Sequence, residues 1–222
     1  MNKYFAAASI LLVALLSGCV AQESHRIVEG DKVDTYRSPY SGPKATLVVG
    51  IFENRSSYLR GLFSPDSDQL GNQAKTVLKA HLQQTNRFKL VDRENLEGIS
   101  REAGLLGRTQ KITGARYAVT GAVTEFGRKE AGDRQFFGVF GSGRSQIAYS
   151  KVTINIVDVL SSEIIYSTQG AGEYSLSDRE VLGFGSTSGY DSTLNGKVLN
   201  LAMTEAVNSF VRDLERGLFN LE

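Results

Sequence analysis

Residues 152–167 read VTINIVDVLSSEIIYS, and the fold is built outward from them. Strand side chains alternate between faces, so Val152, Ile154 and Ile156 share one side of a strand predicted to run to Leu160. Ser161-Ser162-Glu163 then reads as a hairpin turn, and Ile164-Ile165-Tyr166 as the returning strand. Downstream, Leu199, Met203, Ala206, Val207, Phe210, Leu214 and Leu218 recur at three- and four-residue steps, which predicts a C-terminal helix over about Gly196 to Gly217. That helix is expected to cover one face of the sheet.

Upstream, ARYAVTGAVT (Ala115 to Thr124) starts another strand. ATLVVGIF (Ala45 to Phe52) is a compact run of branched residues that suggests a buried strand. A polar loop, Asn54 to Ser64, follows it. Ser64, Asp66 and Ser67 are candidate caps for a helix carrying Leu70, Ala74, Val77, Leu78, His81 and Leu82 on one stripe. Phe88 to Val91 makes a short strand. Asp92 is expected to cap a second helix with Leu96, Ile99 and Ala103 inward and Gly104 as its stop. The order strand, helix, strand, helix, strand, strand, strand, helix indicates an α+β domain, a small mixed sheet flanked by helices.

Two stretches are too long to be structureless loops of a compact domain, so each reads as a long β-hairpin. One spans Glu125 to Lys151 and has an apolar tip with Phe136, Phe137 and Phe140. Its outgoing arm, with Arg128, Lys129, Glu130, Asp133 and Arg134, has no continuous apolar face. The other spans Tyr166 to Thr193; Leu182, Phe184 and Tyr190 share a face on its return arm. Such hairpins could join an oligomeric transmembrane β-barrel, whose strands need ~9–11 residues. Phe136, Phe137, Phe140, Tyr174, Phe184 and Tyr190 are then candidates for the membrane interface. Soluble surface hairpins or partner-docking arms fit the same pattern.

The N-terminus begins with a short basic region, Met1-Asn2-Lys3, and an apolar stretch from Tyr4 to Leu16, the layout of a signal peptide. It is shorter than the ~20 apolar residues of a spanning helix. Leu16-Ser17-Gly18-Cys19 resembles a lipobox, so cleavage is expected before Cys19. Acyl chains on that thiol would then hold the protein to membrane lipid. Cys19 is the one cysteine of the chain, so no intrachain disulfide is available and stability must come from the core. Val20 follows where aspartate would resemble an inner-membrane retention signal, which favours the outer membrane, with the domain facing the periplasm. Residues 1–18 are thus read as signal peptide, 19–44 as a polar tether that could wrap the domain, and 45–222 as the domain with its two excursions.

Taken together, RFKLVDRENL (Arg87 to Leu96), YAVTGAVTEF (Tyr117 to Phe126), VTINIVDVLSSEIIYS (Val152 to Ser167) and RGLF (Arg216 to Phe219) resemble the CsgG/HfaB family, whose type member is a lipoprotein channel exporting curli subunits. The resemblance implies a homo-oligomeric ring in which each copy contributes two hairpins to one outer-membrane barrel. It implies secretion of an unfolded polypeptide, or a part in biogenesis of curli-like fibres. It also implies a constriction from the loop after the first strand, where this chain has Tyr58, Leu62 and Phe63, although the neighbouring residues depart from the curli pattern. The alternative is a lipid-anchored periplasmic adaptor working with other envelope lipoproteins.

No enzyme is expected. The two histidines, His25 and His81, lie far apart, and no paired His, Cys or carboxylate spacing suggests a metal. Gly183, Gly185 and Gly189 have the wrong spacing for a dinucleotide fingerprint, and Gly196-Lys197 is followed by Val198 rather than Ser or Thr. Catalytic residues, metal and cofactor are therefore all expected to be absent. A net charge of +1 gives no sign of a nucleic-acid partner.

Overall fold

The computed structural model describes residues 30–58, 68–134, 142–180 and 193–221. Asp31–Glu222 form one compact unit. Its described elements are β1 (Ala45–Asn54), α1 (Gln69–Gln84), β2 (Phe88–Val91), α2 (Leu96–Leu105), β3 (Tyr117–Arg134), β4 (Ser142–Asp158), β5 (Ile164–Glu180) and α3 (Thr193–Glu215). The strands form one five-stranded sheet in the order β2-β1-β3-β4-β5. β1 is parallel to β2 and β3, whereas β3-β4 and β4-β5 are antiparallel. This is the α+β architecture with a mixed sheet that the order of elements predicts.

The core lies on one face of the sheet. Leu47, Val119, Val123, Val152, Ile154 and Ile156 meet Leu78 and Leu82 of α1 and Leu199, Met203 and Phe210 of α3, all at most 1% exposed. Thr46, Val48, Ala118, Thr120, Thr153 and Asn155 alternate with them and are half-exposed. The branched run of β1 is therefore buried on one side only, and a register shift between Val49 and Phe52 leaves Ile51 70% exposed. Phe88, Phe210, Tyr166 and Phe219 stack at the foot of α3. Burial, and then the hydrogen bond to Asp213, pushes the Tyr166 phenol up to about 12.

Several boundaries differ from those read in the sequence. The cap of α1 is Asp68: one carboxylate oxygen accepts the Gly71 amide, and the other accepts the Asn54 amide at 2.6 Å. Leu96, Ile99 and Ala103 do not face inward, since no residue of α2 is buried and Ile99 is 43% exposed. Their spacing is helical, but among the described residues no neighbouring element lies against the stripe closely enough to bury it. Asp92 does not cap α2 directly; it accepts from the Glu94 amide and the Asn95 side chain just ahead of it. Gly104 lies within α2, and the left-handed residue beyond its end is Gly107, at φ 67°. Leu218 sits beyond α3 at 69% exposure, after Gly217 at φ 70° ends the helix.

The hairpin at the centre of the opening stretch is organised by Asp158, where β4 ends. Its carboxylate accepts the Leu160 and Ser161 amides at 2.7 and 3.0 Å and pairs with Arg116 at 2.9 Å. The Ser161 and Leu160 amides, and then the Arg116 guanidinium, hold the carboxyl below the usual carboxylate range. A depressed folded-state value means that this stabilisation is present above the unfolded value of ~3.9 and is lost as pH falls through the folded one. Asp158→Asn should therefore lower the urea midpoint at pH 7 and narrow the gap to wild type at pH 3. An equal deficit at both pH values would reject the charge as the cause.

Candidate functional site at the root of the arm

β1 ends at Asn54 opposite Val123, but β3, β4 and β5 continue together. Pairing runs unbroken from Glu125↔Lys151 to Arg134↔Ser142, and from Lys151↔Ala171 to Ser142↔Glu180. The result is a three-stranded antiparallel arm. It leaves the sheet at a bulge where Thr124 is the extra residue, and the Thr124 hydroxyl donates to the Lys151 carbonyl. An inserted residue re-aims the strand. After Val123 the next residue on the core face is Phe126, which is 4% exposed.

The arm's root is clamped between the loop after β1 and the first turns of α3. The Tyr58 ring lies 4.8 Å from Phe126, and its hydroxyl accepts from Asn195 at 2.8 Å. Arg128 donates to the same Asn195 at 3.1 Å. On β5, Tyr174 is half-buried against the core with Lys197 over its ring at 4.9 Å. Gly170 and Gly172 let α3 lie close to the strand. A Cβ on Gly170 would overlap the Ala202 carbonyl and stand 2.5 Å from the Ala206 nitrogen, and one on Gly172 would stand 2.7 Å from the Val198 carbonyl. The sequence marks these glycines only as part of an excursion; the signal was their pairing with Ala202 and Ala206 at helical spacing. The opposite face is polar and open, with Lys151 bonded to Glu125 at 2.6 Å and Lys129 over Tyr149 at 4.9 Å. A shallow concavity of about 450 Å³ lies there.

Of the residues expected at a site, Tyr58 and Tyr174 are described, each held at the arm's root by its own partners. Cys19, Leu62, Phe63, Phe136, Phe137, Phe140, Phe184 and Tyr190 lie outside the described residues. The second excursion is described as far as Glu180, and its outgoing arm pairs with β4. His81 is 2% exposed between α1 and α3, with one ring nitrogen 2.8 Å from Asn200 Oδ1 and the other 3.3 Å from Gln84 Oε1. Among the described residues no group of three or more His, Cys, Asp or Glu could hold a metal, and no helix is long and apolar enough to cross a membrane.

A Neisseria meningitidis serogroup B (strain ATCC BAA-335 / MC58) protein named as a lipoprotein, NMB1126/NMB1164, is 56% identical over 202 residues, covering 91% of this chain and 90% of that protein. Among solved structures, lipoprotein GNA1162 from Neisseria meningitidis is 17% identical with a TM-score of 0.33, covering 77% of this chain and 99% of its own. The PelC dodecamer from Paraburkholderia phytofirmans is 17% identical with a TM-score of 0.31, covering 78% and 92%. The family model described as curli production assembly/transport component CsgG matches residues 32–221, and with nearly the whole domain inside that match the chain belongs to the CsgG family.

Proposed function

We propose that this chain is an outer-membrane lipoprotein, acylated on Cys19 with its domain in the periplasm, whose copies close their arms into a pore for unfolded polypeptide. Subunits of curli-like surface fibres are the class of cargo that the family match favours. The observation that carries the reading is the arm. From Glu125 to Arg134 the outer edge of β3 has no strand beside it among the described residues, and neither has the outer edge of β5. Unpaired edges cannot stand in lipid, and closure across copies removes them. β3 and β5 both run antiparallel to β4, so three strands per copy would set neighbours parallel at each junction. The return arm expected from the sequence after Glu180, which lies outside the described residues, would supply a fourth strand per copy and make such a ring antiparallel.

Negative-stain images and light scattering of the detergent-extracted, lipidated protein test this. A ring with a central pore, and stepwise conductance in planar bilayers, is the expected result. A monomer at micromolar concentration would favour the second reading, a periplasmic adaptor in envelope assembly. That reading has its own support, because Arg128, Lys129, Glu130, Asp133 and Arg134 place charge at both alternating sets of positions on β3. A basic residue facing lipid at mid-bilayer costs ~2–4 kcal/mol.

In the pore reading Tyr58 fixes the stem of the loop, while Leu62 and Phe63 narrow the channel. Leu62→Ala combined with Phe63→Ala should raise single-channel conductance with little change in melting temperature. Tyr58→Ala should lower the melting temperature instead, because it strips the ring from Phe126 and the acceptor from Asn195. Unchanged conductance in the double variant would remove the constriction from the proposal.

A further inference from the structure

The segment before β1 is docked along the domain, and the direction in which it runs has a consequence. Asp31 accepts from Asn200 at 2.6 Å, level with the arm's root, since Val198 and Ala202 of the same stretch of α3 lie against Gly172. The Asp34 amide donates to Asn208 at 3.0 Å. Ser38 accepts from Arg87, which also holds Glu215 at 2.8 Å. The segment therefore runs down α3 from Asn200 to Glu215, roughly 22 Å at ~1.5 Å per residue, and enters β1 at the far end.

The docking is built rather than incidental. Val33 is 2% exposed, and its amide donates to Gln84 at 3.4 Å. Gln84 and Asn200 are both bonded to the buried His81, so this side chain sits beneath both contacts. Arg87 is 6% exposed; it bonds Ser38 at 2.7 Å and lies 5.0 Å from the centre of the Tyr40 ring. Arg37 holds a left-handed φ of 54° inside a turn closed by the Tyr36 and Ser38 amides. A non-glycine residue keeps that conformation only where its surroundings fix it.

We propose that residues 31–44 are a strap that returns the membrane tether to the arm's end of the domain, so that lipid and arm meet the same bilayer, with His81 and Arg87 as its positioning residues. This rests on the reading of Cys19 as acylated and of the arm as directed at the membrane. With the strap docked, the span from Cys19 to Asp31 can reach at most about 40 Å even if fully extended. With it released, the span to Ala45 can reach about 90 Å and starts from the opposite end of the sheet. The strap is thus a spacer that keeps the arm within range of the lipid.

The test uses lipidated protein in phosphatidylcholine vesicles containing nitroxide-labelled lipid, with a fluorophore on Ser175→Cys, an exposed position of the arm. Val33→Asp is the release variant: leaving the domain hydrates the new charge, and the sheet and helices keep their packing. Trypsin, which can cut at Lys32, Arg37 and Lys44, should cleave the strap roughly tenfold faster in the variant, and quenching of the arm fluorophore should be lost. Equal cleavage in both proteins overturns the docked strap. Faster cleavage with unchanged quenching overturns its role as a spacer. Palmitate labelling of the same samples separates these results from failure of the lipoprotein reading, in which neither protein would carry label. Labelled wild type whose arm is never quenched would instead overturn the membrane-directed arm.

Discussion

Replacing Cys19 by alanine should abolish acylation and leave an uncleaved or soluble precursor. Among the described residues no helix is long and apolar enough to cross a membrane, and in the proposed reading the monomer is attached by lipid on that thiol. Two or more acyl chains anchor a protein stably, whereas a single one holds it marginally. The variant should take up no labelled palmitate, and any of it that is released should appear in the periplasm without lipid. In the pore reading, the rings expected of the lipidated protein should be lost from detergent extracts of the variant. Palmitate incorporation equal to wild type would reject lipidation at this residue. Wild-type protein free in the periplasm would reject anchoring altogether.

The largest expected loss of stability comes from a change that removes no contact. Gly170→Val adds a branched side chain where even a single Cβ would overlap the Ala202 carbonyl. The obstacle is helix backbone, which cannot swing aside as the end of a side chain can. Either α3 moves off β5 or the strand bends. Overpacking of this kind costs about 3 kcal/mol. For a domain of this size that lowers the melting temperature by roughly 10 °C. Ala171→Val, on the exposed side of the same strand, is the control and should stay within about 0.5 kcal/mol of wild type. Circular dichroism melts decide the matter: equal midpoints for the two variants would mean that the helix is not seated on the glycines. Because α3 also meets the arm through Asn195 and Lys197, the Gly170 variant should lose ordered arms as well as stability.

Much of the fold was legible because its signals are local. The alternation in β4, the stripe of α3 and the branched run of β1 are each properties of a short window, and each became the element it suggested. Ser64, Asp66 and Ser67 read as caps because any such side chain can cap, and only the position of Asn54 across the loop selects Asp68. α2 shows the converse failure. Its stripe of Leu96, Ile99 and Ala103 is as regular as that of α1, yet periodicity reports only that a face exists, not that anything covers it.

The candidate site was less legible for the same reason. Tyr58 and Tyr174 stand out as aromatic residues in polar surroundings, but their partners, Phe126 with Asn195 and Lys197, come from distant parts of the chain. By itself the sequence determined the α+β order of elements, since this depends on spacing and composition along the chain. Only the tertiary structure decided that Gly170 and Gly172 seat a helix, that the bulge at Thr124 turns Phe126 inward, and that the segment from Asp31 to Ser38 lies along α3. Each of these depends on which backbone lies across from a residue, and that is set by the register between strands and the packing of helices on them, quantities that no local pattern encodes.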